Sequence, residues 1–377
     1  MGHKRLPTLR KALLIGSNYR RGGELRISGA CRDVRHMRDF LLDVLAFRKE
    51  NIYILSDEEG FDDPTYDNIK RYLEGFVVES REEAEYIFLF CGHAKQKPED
   101  QSEAEGGASR PEEDGKDEYI IPVDAVDERG RIDDSKIIRD NMIRQYLVDP
   151  VRSNAHMLAI WDTCHSNTLM DLDHSRCNRV SSTRSRVHRL GRRVLESSSR
   201  TFGEKFTDVV AYPAYFAKEV VKSSLNKEYH PNRRTCTGYC RRRNALDTED
   251  SKGRVICISA CKDGQGDLEG PCKSFTKIFI ATLKAHKNPS LKLLLRSLEN
   301  AVHKNCRRYR KEKHLSFQQS PQISSRTPLN MNEPLFFSVS GSTSISGRLK
   351  HLSEIYKSYG TWHAAVLIHS RKLQAGA

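Results

Sequence analysis

The chain has 377 residues, of which 37% are hydrophobic and 30% charged, and it carries a net charge of +13 with the histidines neutral. Together with a mean hydropathy of −0.64, this composition is typical of a globular protein with long polar loops and room for one large core or two small ones. No apolar run approaches the about 18 residues of a membrane span, and the apolar run at 12–15 is too short for a signal peptide. We therefore expect no membrane partner, no secretion, and a cytoplasmic or alternatively nuclear location.

Apolar patterns in the first part of the chain alternate between strand length and helical spacing. In chain order, the patterns predict a strand at 11–18, a helix at 28–47, a strand at 51–55, a helix that begins near Pro64, and a strand at 86–90. The order βαβαβ predicts a parallel sheet covered by helices. The ten cysteines are interpreted as reduced thiols, because disulfides persist mainly in oxidising compartments.

The rest of the chain is interrupted by polar stretches. An acidic loop is predicted at 97–116, and basic tracts occupy 175–200 and about 222–243. The predicted elements between and beyond them are a strand at 118–123, a helix at 137–148, strands at 155–161 and 254–260, helices at 272–285 and 291–302, a last strand at 334–339, and a helix near 349–359.

Two of the predicted strands end on residues that can carry chemistry. One strand leads into Asp162, Thr163 and Cys164, and the other leads into Cys91, Gly92 and His93. Because ligands bind at the carboxyl ends of strands in open α/β sheets, neighbouring strands would bring the thiol and the imidazole together. This pattern predicts a cysteine nucleophile with a histidine base. Taken singly, each residue has a structural alternative as a buried core thiol or a hydrogen-bonded histidine.

The residues around these strand ends resemble those of a known family. The block 91–96, Cys-Gly-His-Ala-Lys-Gln, resembles the Ser-Gly-His-Gly-Gly-Gln block of metacaspases, and 162–167, Asp-Thr-Cys-His-Ser-Asn, resembles their Asp-Ser-Cys-His-Ser-Gly block. Apart from the basic insert, the resemblance extends over about 11–339. It implies a caspase-like α/β fold, a three-layer sandwich with a central, mostly parallel sheet flanked by helices.

The resemblance also implies a division of the chain. The implied regions are a short leader at 1–10, a large-subunit-like region at 11–174, a basic linker at 175–252, a small-subunit-like region at 253–339, and a tail at 340–377.

The implied activity is that of a cysteine endopeptidase. Cys164 is the implied nucleophile, His93 the implied base and acid, and the backbone N–H groups of Cys164 and Ala94 the implied donors to the oxyanion. Metacaspases cut after Arg or Lys, and a cationic side chain needs a pocket lined by carboxylates. Asp33 and Asp162 match the pocket acids of the family, and Cys91 stands where serine is common. The alternatives are a helix cap at Asp33 and a turn residue at Asp162.

Calcium is the one cofactor that the resemblance implies. Asp117, Asp140 and Asp171 match the calcium-binding acids of the family, whereas Asn141 replaces a fourth acid and so removes one charge. The alternative is that these acids are solvated loop residues, as most carboxylates are.

The basic linker suggests self-cleavage, because an exposed Arg-rich segment is a natural substrate for an Arg-cutting protease. The candidate sites are Arg184, Arg186, Arg189, Arg192, Arg193, Arg200 and Arg243. Nucleic-acid binding is the competing interpretation, but few aromatic residues alternate with the arginines, so we expect protein or peptide substrates, no nucleic acid, and a monomer.

A second hypothesis is a weak or inactive homologue that acts by binding. Its basis is that Ala94, Lys95 and Asn167 stand where the family has glycine, and glycine often marks a backbone conformation that other residues strain.

Overall fold

A six-stranded sheet forms the centre of the computed structural model, which describes residues 9–78, 83–98, 116–163, 169–174, 178, 253–261, 274–313 and 319–336. Its strands are β1 (Leu9–Gly16), β2 (Ile52–Ser56), β3 (Ala84–Cys91), β7 (Ala155–Asp162), β8 (Arg254–Ser259) and β9 (Gln322–Ser325), in the order β2-β1-β3-β7-β8-β9. All neighbouring pairs are parallel except β8 and β9. Strands from the regions on either side of the basic linker thus share one sheet.

The structure also contains a second, smaller sheet of three strands. It contains β4 (Ala94–Pro98), β5 (Lys116–Ile120) and β6 (Ile138–Arg139), which pair antiparallel in the order β4-β5-β6. Because β4 begins three residues after β3 ends, this sheet continues the chain directly from the carboxyl edge of the central sheet. It therefore fixes the path of the backbone on both sides of His93.

Five α-helices accompany the sheets in the described part of the chain. They are α1 (Ala30–Asp43), α2 (Tyr66–Phe76), α3 (Asp140–Leu147), α4 (Phe275–His286) and α5 (Leu291–Lys313). Side-chain caps start three of them: Thr65 Oγ1 accepts the N–H of Asn68 at α2, Ser274 Oγ accepts that of Lys277 at α4, and Ser290 Oγ accepts that of Leu293 at α5. None of the helices in the described ranges is long and apolar enough to span a membrane.

The central sheet is buried on both faces. Successive residues of a strand point to opposite sides, so Leu13 and Leu14 of β1 belong to two different apolar clusters. One cluster includes residues of α1, α4 and α5, and the other includes residues of α2 and α3. Burial on both faces explains why the strands read as near-continuous apolar runs. The predicted three-layer α/β sandwich with a mostly parallel sheet is confirmed.

Several element boundaries differ from the prediction. Helix α3 begins at Asp140, because residues 138–139 pair with β5 as a short strand. Helix α5 continues to Lys313, beyond the predicted end at 302. The strand β4 was not predicted, since the chain there carries polar residues typical of the acidic loop that follows.

The predicted last strand is wrong over the part that the structure describes. Pro334 forms only an isolated bridge with Ser290, and Leu335 and Phe336 are buried in the core beside the start of α5. The strand that borders β8 is instead β9, at Gln322–Ser325. Residues 337–339 and the tail helix predicted near 349–359 lie outside the described residues.

Candidate active site

The strands β3 and β7, which precede the two predicted catalytic residues in the sequence, end at the same edge of the sheet. The strands are direct neighbours, and Cys91 pairs with Asp162 at their carboxyl ends. His93 follows two residues after Cys91, and Cys164 follows two residues after Asp162. The prediction that these strands are neighbours is confirmed, whereas Cys164 itself lies outside the described residues.

His93 is held by groups from the first βα connection. Its Nε2 lies 2.7 Å from the carbonyl oxygen of Leu25, and its backbone N–H donates to Tyr19 Oη at 2.9 Å. Tyr19 Oη in turn donates to the carbonyl of Ile121 at 2.7 Å, and the two rings stack with centroids 4.8 Å apart. The imidazole is therefore fixed from both its backbone and its ring.

The contact with Leu25 determines which nitrogen of the ring carries the hydrogen. A carbonyl oxygen can only accept, so Nε2 is the donor and Nδ1 of the neutral ring keeps its lone pair. Burial lowers the pKa of His93, with a smaller contribution from the charge of Lys95, against an opposing effect of the Leu25 carbonyl. The ring is thus neutral at neutral pH and able to accept a proton through Nδ1.

Close packing beside His93 requires a glycine at position 92. A Cβ atom there would lie 3.0 Å from Tyr19 Oη and 3.0 Å from Phe90 Cζ. A side chain there would require Tyr19 or Phe90 to shift by a few tenths of an ångström, so Gly92 serves a close approach rather than a turn.

Two of the departures from the family pattern are compatible with the local backbone. Ala94 and Lys95 are the first residues of β4 and pair with Ile120 and Tyr119. Neither has a positive φ angle, so the backbone there does not need glycine. Asn167, the third departure, lies outside the described residues, as does the Cys164 half of the implied oxyanion site.

The three predicted substrate-binding residues lie around the first turn of α4. Thr276 of this turn donates its N–H to Asp162 Oδ2 at 2.7 Å, and its Oγ1 lies 3.5 Å from Cys91 Sγ. Lys277 Nζ lies 3.6 Å from Asp33 Oδ1. Asp33, Cys91 and Asp162 are all buried. We refer to these three side chains with Thr276 as the acid pocket.

The acid pocket contains two buried carboxylates, and burial perturbs the electrostatics of Asp33. Burial and, next, the charge of Asp162 raise the pKa of Asp33 to about 6, against opposing effects of Ser274, Lys277 and Arg32. Asp33 Oδ1 makes no hydrogen bond to any described residue. Asp33 does not cap α1, whose N-cap is Gly29 without a side-chain bond; the cap interpretation is wrong. Asp162 does have a structural contact, to Thr276.

The predicted calcium-binding acids are also buried. Asp117, Asp140 and Asp171 are 5%, 3% and 8% exposed, so the alternative of solvated loop acids is wrong for them. Asn141 is half-buried and donates its N–H to Asp140 Oδ1 at 2.6 Å. Burial, together with the charges of Asp117 and Asp171, raises the pKa of Asp140 to about 7 in spite of two backbone N–H donors.

The donor set of this acidic cluster fits a hard cation in its chemistry, because all its side-chain ligands are oxygens. Over the described ranges, however, no three His, Cys, Asp or Glu side chains converge in a way that could hold a metal ion. Arg144 of α3 contacts the carbonyl of Asp171 and lies 3.8 Å from Asp171 Oδ2. The arginine supplies part of the positive charge in the cluster.

Sequence reasoning missed Tyr19, Leu25, Thr276 and Lys277. Tyr19 had a usable signal, because it follows the first predicted strand and so stands near the same sheet edge. Leu25 contributes a backbone carbonyl, and the contacts of Thr276 and Lys277 depend on how α4 packs. No sequence pattern predicts either kind of contact. The arginines of the predicted cleavage region, from Arg184 to Arg243, lie outside the described residues.

Comparison with known proteins shows what the chain is similar to. Residues 10–173 match the family model for the metacaspase, peptidase C14 domain. Metacaspase-1B of Aspergillus oryzae is 28% identical over 331 residues, which cover 86% of this chain and 69% of that protein. Metacaspase-1 of Ajellomyces capsulatus is 28% identical over 332 residues, with 85% and 81% covered.

Two solved structures are also similar, with low TM-scores and low sequence identity. Protein GSU0716 from Geobacter sulfurreducens has a TM-score of 0.44 and 15% identity, covering 85% of this chain and 93% of that chain. Caspase-1 from Spodoptera frugiperda has a TM-score of 0.41 and 9% identity, with 88% and 94% covered. These two carry no weight beside the sequence matches. On those matches, residues 10–173 are similar to the metacaspase, peptidase C14 domain, and most of the chain is similar to curated metacaspases.

Proposed function

We propose that the chain is a cysteine endopeptidase that cleaves after Arg or Lys through Cys164 and His93. The observation that carries the proposal is the fixed, neutral His93 just after β3, whose direct neighbour is β7, the strand that Cys164 follows by two residues in the sequence. Nδ1 takes the thiol proton, and the thiolate attacks the scissile carbonyl carbon. The backbone N–H groups of Cys164 and Ala94 stabilise the oxyanion.

The histidine completes the cycle. The imidazolium protonates the leaving amine as the carbon–nitrogen bond breaks, which leaves a thioester on Cys164. His93 then takes a proton from water, whose oxygen attacks the thioester and breaks the carbon–sulfur bond, which releases the acid. The imidazolium returns its proton to the departing sulfur of Cys164. The Leu25 carbonyl keeps the ring oriented through both steps and stabilises its charged form.

The acid pocket is the proposed site for the side chain that precedes the cut. Two carboxylates, of Asp33 and Asp162, are buried beside a strand end, and such a pair favours a bound cation. The test is a panel of fluorogenic peptides that differ only in the P1 residue: Arg, Lys, Asp and Ala. Turnover confined to Arg and Lys supports the proposal. Turnover of Asp in preference, or of no peptide, would favour another pocket or the weak homologue.

We expect the KM for a P1-Arg peptide to rise as the pH falls through about 6, the pKa of Asp33. Below that pH the carboxyl is protonated and neutral and no longer attracts the guanidinium, whereas above it the carboxylate is charged and KM is lowest. KM measured from about pH 5 to about pH 8 checks this. In Asp33→Asn the KM should be high throughout and lose this step, and a step that persists would assign it to another group.

Calcium is the proposed cofactor of the acidic cluster. The side chains that would hold it are Asp117, Asp140, Asn141 and Asp171. The ion would neutralise the buried carboxylates, of which Asp140 has a raised pKa. The support is the chemistry of these buried donors rather than any bound ion.

We expect Asp140→Asn to raise the melting temperature at about pH 8 in a chelator, equivalent to about 1–2 kcal/mol, because it removes a buried charge. Since the folded-state pKa of Asp140 is raised to about 7, stability falls as the pH rises from the ordinary pKa of an aspartate toward about 7, and the full loss is present above that pH. Calcium should raise the melting temperature of the unchanged protein but not of the variant. Asp134→Asn, at an exposed acid in the same segment, is the control; an equal calcium effect in all three proteins would refute the site.

Self-processing in the basic linker is the remaining part of the proposal. The seven candidate arginines between Arg184 and Arg243 match the proposed P1 preference of the acid pocket. Cleavage there would separate the chain between β7 and β8 while these strands still pair within one sheet.

A further inference from the structure

The first turn of α4 places a lysine against the acid pocket. Lys277 Nζ lies 3.6 Å from Asp33 Oδ1, and the lysine side chain is 26% exposed whereas that of Asp33 is 4% exposed. The ammonium thus reaches inward from a position with access to solvent. The same turn gives its Thr276 N–H to Asp162, so one short segment contacts both carboxylates.

The position of Lys277 on its helix is electrostatically unfavourable. The N-terminus of a helix carries a partial positive charge, which disfavours a cation in the first turn. No acidic residue occupies the first turn of α4. The attraction that keeps the ammonium there comes from across the pocket, from Asp33 on α1.

The other charged neighbours of Asp33 do not replace this contact. His36 Nδ1 lies 3.7 Å from Asp33 Oδ1, and the histidine side chain is 45% exposed. Its partial burial, with the charges of Lys277 and Arg32, lowers its pKa. At neutral pH His36 is therefore uncharged. Arg32 acts on Asp33 through its charge. Asp33 Oδ1, without a hydrogen bond to any described residue, faces a cation that is close but not tightly bound.

We propose that Lys277 is the resident cation of the acid pocket, which the P1 side chain of a substrate must displace. The inference rests on the proposed function, because it assumes that the acid pocket receives P1. A guanidinium is weakly hydrated and binds carboxylates through two donors, so it can displace the ammonium of Lys277. The displaced lysine has a long flexible side chain and partial exposure, which give it a path into solvent. Lys277 is accordingly a positioning and specificity residue.

We expect Lys277→Met to lower the KM for a P1-Arg peptide about fivefold at unchanged kcat, because the competing charge is gone while His93 and Cys164 are untouched. The inhibition constant of benzamidine, a small cation, should fall by the same factor. Lys277→Arg should restore a resident cation and return both values at least to the original, because a guanidinium binds carboxylates through two donors. Lys284→Met, on the exposed side of the same helix, should change neither.

Direct binding keeps the test independent of turnover. Benzamidine affinity is measured by calorimetry in the Cys164→Ala background, with Lys277→Gln as a second variant if the methionine variant does not fold. An unchanged or weakened affinity, in a protein that melts normally, would overturn the inference while leaving P1-Arg cleavage intact. If the unchanged protein neither cleaves P1-Arg or P1-Lys peptides nor binds benzamidine, the proposed function fails as well.

Discussion

Cys164→Ala is expected to abolish hydrolysis of a P1-Arg peptide, and His93→Ala to lower kcat/KM about 1,000-fold or more. The thiolate is the only nucleophile of the proposed reaction, and the thiol needs a neighbouring base to form it at neutral pH. His93 is positioned for that task by the Leu25 carbonyl and Tyr19. Its replacement removes both the proton acceptor and the donor to the leaving amine.

Thiol alkylation provides a readout that does not depend on substrate. Iodoacetamide should modify Cys164 rapidly in the unchanged protein and slowly in His93→Ala, because the thiolate fraction falls. His303→Ala, at an exposed histidine on α5, should change neither turnover nor alkylation. Equal alkylation rates with and without His93 would mean that another group activates the thiol.

The Cys164→Ala protein also tests self-processing. It should remain a single chain under conditions in which the unchanged protein is cut between Arg184 and Arg243. Because the fold needs no catalytic thiol, this variant reports the chemistry alone. Identical fragments from both proteins would assign the cleavage to a contaminating protease.

The sheet could be predicted from the sequence because its strands are buried on both faces. β1, β3, β7 and β8 read as near-continuous apolar runs, and polar residues follow them at their shared carboxyl edge. β9 could not be recognised in the same way, because Gln322, Ser324 and Ser325 are buried by pairing at the edge of the sheet rather than by apolar character. The apolar residues Leu335 and Phe336, which suggested a strand, fill the core beside α5 instead.

In the candidate site, too, some residues could be predicted from the sequence and others could not. His93 and Asp162 could be predicted because they follow strands directly and belong to types that carry chemistry. The Leu25 carbonyl could not, because a backbone oxygen is present at every residue and only the tertiary path brings this one to the imidazole. Lys277 is likewise invisible in sequence, since its contact depends on the packing of α4 against α1.

Asp162→Asn should lower kcat/KM for a P1-Arg peptide about 100-fold, chiefly through KM. The amide keeps an oxygen that can accept the Thr276 N–H, now made by Asp162 Oδ2 at 2.7 Å, so the first turn of α4 retains its anchor. What the substitution removes is the charge, and with it half of the attraction for a guanidinium.

The neutral amide of Asp162→Asn should also lower the pKa of Asp33. The charge of Asp162 is one of the causes that raise the pKa of Asp33 to about 6, so in Asp162→Asn the remaining carboxyl should ionise at lower pH. The acidic step in KM should therefore move to lower pH although KM is higher on the plateau. A structural defect would not produce this opposite pair of shifts.

The control is Asp39→Asn, at an exposed acid of α1, which should leave both quantities unchanged. A uniform loss of kcat in Asp162→Asn, with alkylation of Cys164 slowed as well, would show instead that Asp162 acts on the nucleophile.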